Sequence, residues 1–167
     1  VAAAHLTRSE EPHRPGALGS ASFDGEGVAT AAKAFIDHGV VSSYLLSSYS
    51  ARKLGMETTG NAGGVFNLTV SGRTVPAAGL LRELGTGLLV TDLMGQGVNA
   101  VTGDYSRGAA GFWVEGGEIV YPVDEITIAS NLKDMFNRVV CVGDDLDTRG
   151  NIRSPSMLIE QMTLAGD

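Results

Sequence analysis

Glycine constrains this chain more than any other residue. Of 167 residues, 23 are glycine, about twice the usual share. Glycine weakens the interior of helices and strands but permits tight turns. The chain must therefore fold into many short elements joined by close turns. Hydrophobic residues make up 43%, enough for a core, so wholesale disorder is excluded.

Periodicity and turn residues place the elements. Alternation predicts strands around 30–37 and 40–46, joined by a turn at Asp37-His38-Gly39. Ser48–Leu54 reads as a short helix, capped by Ser48 or Ser50 and closed by Gly55. A strand at 65–70 follows a glycine-rich loop. Pro76 then opens a helix with a Leu80, Leu81, Leu84 stripe, and 87–93 reads as a buried strand.

The second half has the clearest strand signal. Residues 109–114 and 119–121 flank Glu115-Gly116-Gly117-Glu118, a strong hairpin turn. Pro122 is expected to interrupt, with a new strand at 125–129. A helix at 131–138, a buried strand at 139–142 and a terminal strand marked by Met157, Ile159 and Met162 complete the pattern. The run from Arg8 to Gly16 is charged and bears two prolines, which predicts a surface loop or linker. The fold class that follows is α+β: a mostly antiparallel β-sheet or partial barrel with a few short helices.

Charge and cysteine content exclude several functions. The net charge is −7, and all of it lies beyond residue 83. An acidic chain without a Lys/Arg cluster repels phosphate backbones, so direct nucleic-acid binding is not expected. No apolar stretch is long enough to span a membrane. The first residues lack a signal peptide, and a cytoplasmic location is expected. They also lack an initiator Met, which suggests a fragment or a processed product. The lone cysteine, Cys141, excludes an intrachain disulfide.

Few residues have the spacing of a catalytic or metal site. His5, His13 and His38 do not form H-E-x-x-H or a similar ligand pair, and read as loop or turn residues. Cys141 sits in an apolar run that favours a buried thiol over a nucleophile. The glycine clusters miss both phosphate-binding patterns. Asp144-Asp145-Leu146-Asp147 lacks the full calcium-loop pattern and reads as a solvated acidic turn. The densest polar group is Gly103-Asp104-Tyr105-Ser106-Arg107-Gly108. Its Arg107 could fork onto a carboxylate, or an Asp104–Arg107 pair could merely staple a connecting loop.

Longer runs carry a resemblance. Ser47–Gly55, Gly60–Gly64, Met94–Val98, Thr102–Val114 and Glu125–Met135 resemble the TldD/PmbA family, in its PmbA (TldE)-like branch. The likeness covers about residues 18–167, as a C-terminal domain, with 1–17 left as a linker or edge segment. It implies a two-subunit zinc metalloprotease that processes or degrades peptides, in a family also called modulators of DNA gyrase. In TldD the zinc is held by an H-E-x-x-x-H helix, upstream of the matching region, and by a cysteine near the C-terminus. The corresponding segment here reads Arg153-Ser154-Pro155-Ser156, without a cysteine.

The resemblance therefore implies a non-metal subunit, with no catalytic residue, metal ligand or cofactor of its own. Zinc is expected in a TldD-like partner, with a homodimer as the other pairing. Asp104, Ser106 and Arg107 become candidates for a surface facing peptide substrate or partner. Two other readings stay open: a self-sufficient hydrolase with Ser106 or Cys141 as nucleophile, and a purely structural dimerisation module.

Overall fold

The computed structural model describes residues 1–166. The chain divides into two compact units. One comprises Ala4–Arg73 and Asp145–Pro155; the other comprises Val1–Ala3, Thr74–Asp144 and Ser156–Asp167. The first holds eight Asp/Glu and eight Lys/Arg. The second holds eleven Asp/Glu and four Lys/Arg, so it carries the whole net charge. They are called the neutral and acidic units below.

The neutral unit is a five-stranded sheet. Its strands are β1 (Thr7–Glu10), β2 (Lys33–Asp37), β3 (Val40–Val41), β4 (Leu68–Ser71) and, late in the chain, β10 (Ile152–Arg153). Their order is β10-β4-β1-β2-β3, antiparallel except for the β10–β4 pair. The β2–β3 hairpin turns through His38 and Gly39, both at positive φ, as a tight two-residue turn requires. Helix α1 (Ser48–Leu54) is capped by Ser47 and not by Ser48 or Ser50. Gly55 closes it at φ 65. Leu6, Phe35, Leu46, Ala51, Leu68 and Val70 form the apolar core.

Residues 8–16 depart from the sequence expectation. Thr7–Glu10 is not a loop but the middle strand of the sheet, with β2 and β4 on either side. The charged run conceals it because Glu10 is 1% exposed, an unusual place for a carboxylate. After β1 the chain does leave the sheet, and Asn67 ties it down. The Asn67 amide donates to Glu11 O and Ser20 Oγ, each at 2.9 Å, and its Oδ1 accepts from Gly19 N at 3.0 Å.

The acidic unit contains two sheets and two helices. In chain order it holds β5 (Thr74–Val75), α2 (Ala77–Leu84), β6 (Gly87–Met94), β7 (Asp104–Glu115) and β8 (Glu118–Asn131). There follow α3 (Leu132–Asn137), β9 (Val139–Gly143), β11 (Met157–Ile159) and β12 (Thr163–Ala165). One sheet has the order β11-β9-β5 and the other β12-β8-β7-β6. Val114, Ile128, Val139, Cys141 and Val142 are buried here. Helix α2 begins beside Asp144, whose Oδ1 accepts from Ala77 N at 2.8 Å. An acceptor at a helix N-terminus satisfies an orphan N–H and complements the helix dipole.

All three sheets are open, so the α+β class holds and no barrel closes. Pro122 does not interrupt: β8 runs unbroken through it, opposite Phe112 of β7. Strand β12 pairs β8 only at Thr127–Ala129, so the part of β8 holding Pro122 is an edge, where a missing N–H is tolerated. The expected terminal strand is two strands, β11 and β12, in different sheets, with Met162 in neither. Bulges flank β7 on both sides near Ala110. On β6 the register shifts between Val90 and Asp92. On β8 Glu125 takes φ 54. Gly111 meets this kink, because a Cβ there would collide with Leu89 O.

Candidate functional site

Asp104, Ser106 and Arg107 lie on β7 and not in a connecting loop. The loop is the preceding segment, which folds back onto the strand. Gly95 turns the chain at φ 77 just after β6. The Gly97 carbonyl then accepts from Ser106 N at 2.7 Å, and Val98 pairs antiparallel with Tyr105. A Cβ on Gly97 would collide with Ser106 O, so only glycine allows this approach. Asn99 closes the loop: its Oδ1 accepts from Val101 N at 2.9 Å and Thr102 N at 3.2 Å. Val101 stands at the tip, 95% exposed.

Residues three apart on an extended strand point to opposite faces. Asp104 and Arg107 are therefore separated, and each has another partner. Asp104 Oδ2 accepts from Thr102 Oγ1 at 2.6 Å. Arg107 donates from Nη2 to Leu93 O at 3.2 Å and from Nε to Met94 O at 3.4 Å. Ser106 is exposed and shares the Asp104 face. This surface can offer a carboxylate and a hydroxyl to a ligand, with the guanidinium bracing the adjacent strand end. The acidic unit, which holds both Ser106 and Cys141, contains no histidine. Cys141 is fully buried on β9, opposite Leu158.

Nor do the residues present fit a zinc ion. His5 Nδ1 accepts from Arg73 N at 2.9 Å. His13 Nε2 pairs with Thr30 Oγ1 at 3.0 Å, and His38 Nδ1 with Asp37 Oδ1 at 2.7 Å. Among the described residues no three His, Cys, Asp or Glu side chains gather closely enough to hold a metal.

The acidic turn is held by local pairing. Arg149 forks onto Asp147, Nη2 to Oδ2 at 2.8 Å and Nε to Oδ1 at 3.0 Å. That fork, helped by the Arg149 amide, lowers the Asp147 pKa to about 2 from an ordinary 3.8. A folded-state value below the unfolded one stabilises the fold above the unfolded pKa. The contribution fades as pH falls from 3.8 towards about 2. In Arg149→Ala the Asp147 carboxyl is expected to titrate near the ordinary value, which a carbon-detected NMR titration reads directly.

The most deeply buried polar cluster gave no sequence signal. Glu10 Oε1 accepts from Lys33 Nζ and from Asn61 Nδ2, each at 2.9 Å. Its Oε2 accepts from Phe66 N at 2.9 Å. Lys33 Nζ also donates to Thr59 O at 2.6 Å and to Asn61 Oδ1 at 3.0 Å. Nearby Asp24 accepts from the amides of Glu26, Val28 and Ala62. Burial alone would raise the Asp24 pKa; the three amides and Lys33 outweigh it and hold it low. The partners of Glu10 lie 23 to 56 residues away from it, so no local spacing marks them.

A glycine-rich α+β domain with a tight loop docked on a long antiparallel hairpin defines a class. The chain belongs to the PmbA/TldD metalloprotease family: the PmbA/TldA metallopeptidase C-terminal domain matches residues 1–166. Metalloprotease PmbA of Escherichia coli O157:H7 is 56% identical over 161 residues, covering 96% of this chain. This chain spans only 36% of that relative's length. A metalloprotease TldD homolog from Buchnera aphidicola is 22% identical over 173 residues. The crystal structure of a proposed modulator of DNA gyrase from Bacteroides thetaiotaomicron superposes with a TM-score of 0.93 at 34% identity. That match covers 99% of this chain and 38% of the other.

Proposed function

We propose that this chain is the C-terminal domain of a PmbA-like subunit of a two-subunit zinc metalloprotease that processes or degrades peptides. One observation carries the branch assignment: identity to PmbA is 56%, against 22% to a TldD homolog. In this reading zinc is held by a TldD-like partner and supplies the polarising Lewis acid and activated water. This chain's residues shape and bind. Asp104 and Ser106 face substrate or partner, and Arg107 braces the end of β6 beside them. In this reading the protein works in the cytoplasm; among the described residues no helix is long and apolar enough to cross a membrane.

A peptidase assay on the intact protein, alone and mixed with a TldD-like subunit, tests the reading. Cleavage is expected only in the mixture and is expected to stop on chelation. Cleavage by the protein alone that survives chelator and disappears in Ser106→Ala would establish the hydrolase reading instead.

A further inference from the structure

We propose that the face of the five-stranded sheet where Arg153 lies in a row with Thr69 and Ser9 is a binding site for a carboxylate carried by a peptide. The site belongs to the neutral unit alone. Buried polar side chains of that unit are otherwise matched: Glu10 with Lys33 and Asn61, Asp24 with three amides, Asn67 with the 11–20 segment. Arg153 is the exception. Its Nε is buried and, among the described residues, has no hydrogen-bond partner. A native fold seldom leaves such a donor unmet, and a half-buried cation without a counter-charge is costly. Asp147, on the same segment, is taken by Arg149. The unmatched guanidinium marks an anion that the fold does not supply.

Strand pairing sets the row. Arg153 of β10 lies beside Thr69 of β4, and Thr69 lies beside Ser9 of β1. Residues paired across strands share a face, with the strands about 4.8 Å apart. Leu68, Val70 and Glu10 are buried on the opposite face, so alternation turns Thr69 and Ser9 away from the core. Thr69, Ser9 and Arg153 are all half-buried, which leaves part of each open to a ligand. Among the described residues neither hydroxyl has a hydrogen-bond partner.

One guanidinium and two hydroxyls suit an oxyanion, since arginine forks onto carboxylate or phosphate and a hydroxyl donates to either. Charge decides between them. Arg8, the neighbouring cation on β1, pairs with Val70 and so belongs to the other face. The row therefore holds a single positive charge. That balances a carboxylate, whereas a phosphate monoester carries about −1.5 to −2 at pH 7. On a peptide the carboxylate is either the free C-terminus or an Asp or Glu side chain.

The test follows the Arg153 Nε–Hε signal of the intact protein by proton–nitrogen NMR. The probes are N-blocked alanine tripeptides: the free acid, its amide, and the amide with a central glutamate. Arg153→Lys, which keeps the charge but lacks Nε, assigns the signal by its loss. A carboxylate-bearing peptide is expected to shift the signal and to bind about tenfold more tightly than the plain amide. Which of the two acids does so names the source of the carboxylate. Arg153→Lys should weaken that binding about tenfold, because an ammonium cannot fork. Thr69→Val keeps the shape of the strand and should weaken it several-fold, which keeps the claim testable where Arg153→Lys fails to fold. Equal binding of all three peptides, an unmoved Arg153 signal, or tighter binding of inorganic phosphate would each overturn the proposal. Such a failure leaves the metalloprotease reading untouched, because the measurement involves no zinc, partner or cleavage.

Discussion

Replacing Lys33 with methionine is expected to destabilise the neutral unit by about 3–5 kcal/mol, the usual cost of leaving a buried charge uncompensated. The Glu10 side chain has no solvent exposure, and that of Lys33 is 17% exposed. Methionine keeps most of the volume but removes the ammonium. It leaves Glu10 with only Asn61 and Phe66 N as donors, and leaves Thr59 O without its lysine. Denaturant titration should show the loss, and hydrogen exchange should place it in β1 and β2. Adding Glu10→Gln should recover part of it, because a neutral amide needs no counter-charge. Loss below 1 kcal/mol in Lys33→Met would mean that the pair is ordinary surface electrostatics.

Asn67→Ala is expected to cost about 3 kcal/mol or more. Asn67 is 1% exposed and adopts φ 48, a conformation that asparagine tolerates better than alanine. Truncation leaves Gly19 N without its acceptor and leaves Glu11 O with Arg14 N alone as donor, at 3.4 Å; an unmet buried polar group costs about 1–3 kcal/mol. Faster proteolysis within residues 11–22 is the expected signature, since Asn67 holds that segment from three directions. Asn67→Gly relieves the backbone but not the bonds. It should therefore fall between wild type and Asn67→Ala; equal stability of Asn67→Gly and wild type would show that the side-chain bonds contribute little.

These two positions show what the sequence conceals. Local chemistry was legible: the Asp37–Val40 hairpin, the Gly116-Gly117 turn, the α1 C-cap at Gly55 and the apolar β9 all follow from short patterns. Glu10 was misread because its partners Lys33, Asn61 and Phe66 come from distant segments. A carboxylate in a run of charges reads as solvated until that network closes around it. Pro122 misled for a related reason. The rule that proline stops a strand assumes neighbours on both sides, and β8 has only one there.

The candidate site was legible only in part. The run Gly103–Gly108 is dense in polar groups, and its sequence reads either as a ligand-facing group or as a stapled connecting loop; Asp104–Gly108 is instead the start of β7. Alternating small and polar residues hid the strand, whose partner β8 supplies the pairing. Strand geometry then separates Asp104 from Arg107, which sequence proximity had suggested as a pair. The close glycines at 95 and 97 signal a turn by residue type alone. That Gly97 accommodates the carbonyl of Ser106 depends on the fold alone.

The central claim is a division of labour, in which this subunit shapes and binds while its companion holds the metal. Metal analysis of the intact protein, purified alone and then with a TldD-like subunit, addresses it most directly. The account predicts zinc far below stoichiometric in the protein alone and stoichiometric zinc in the pair. One equivalent of zinc retained by the protein alone through dialysis, and removed only by a strong chelator, would contradict it.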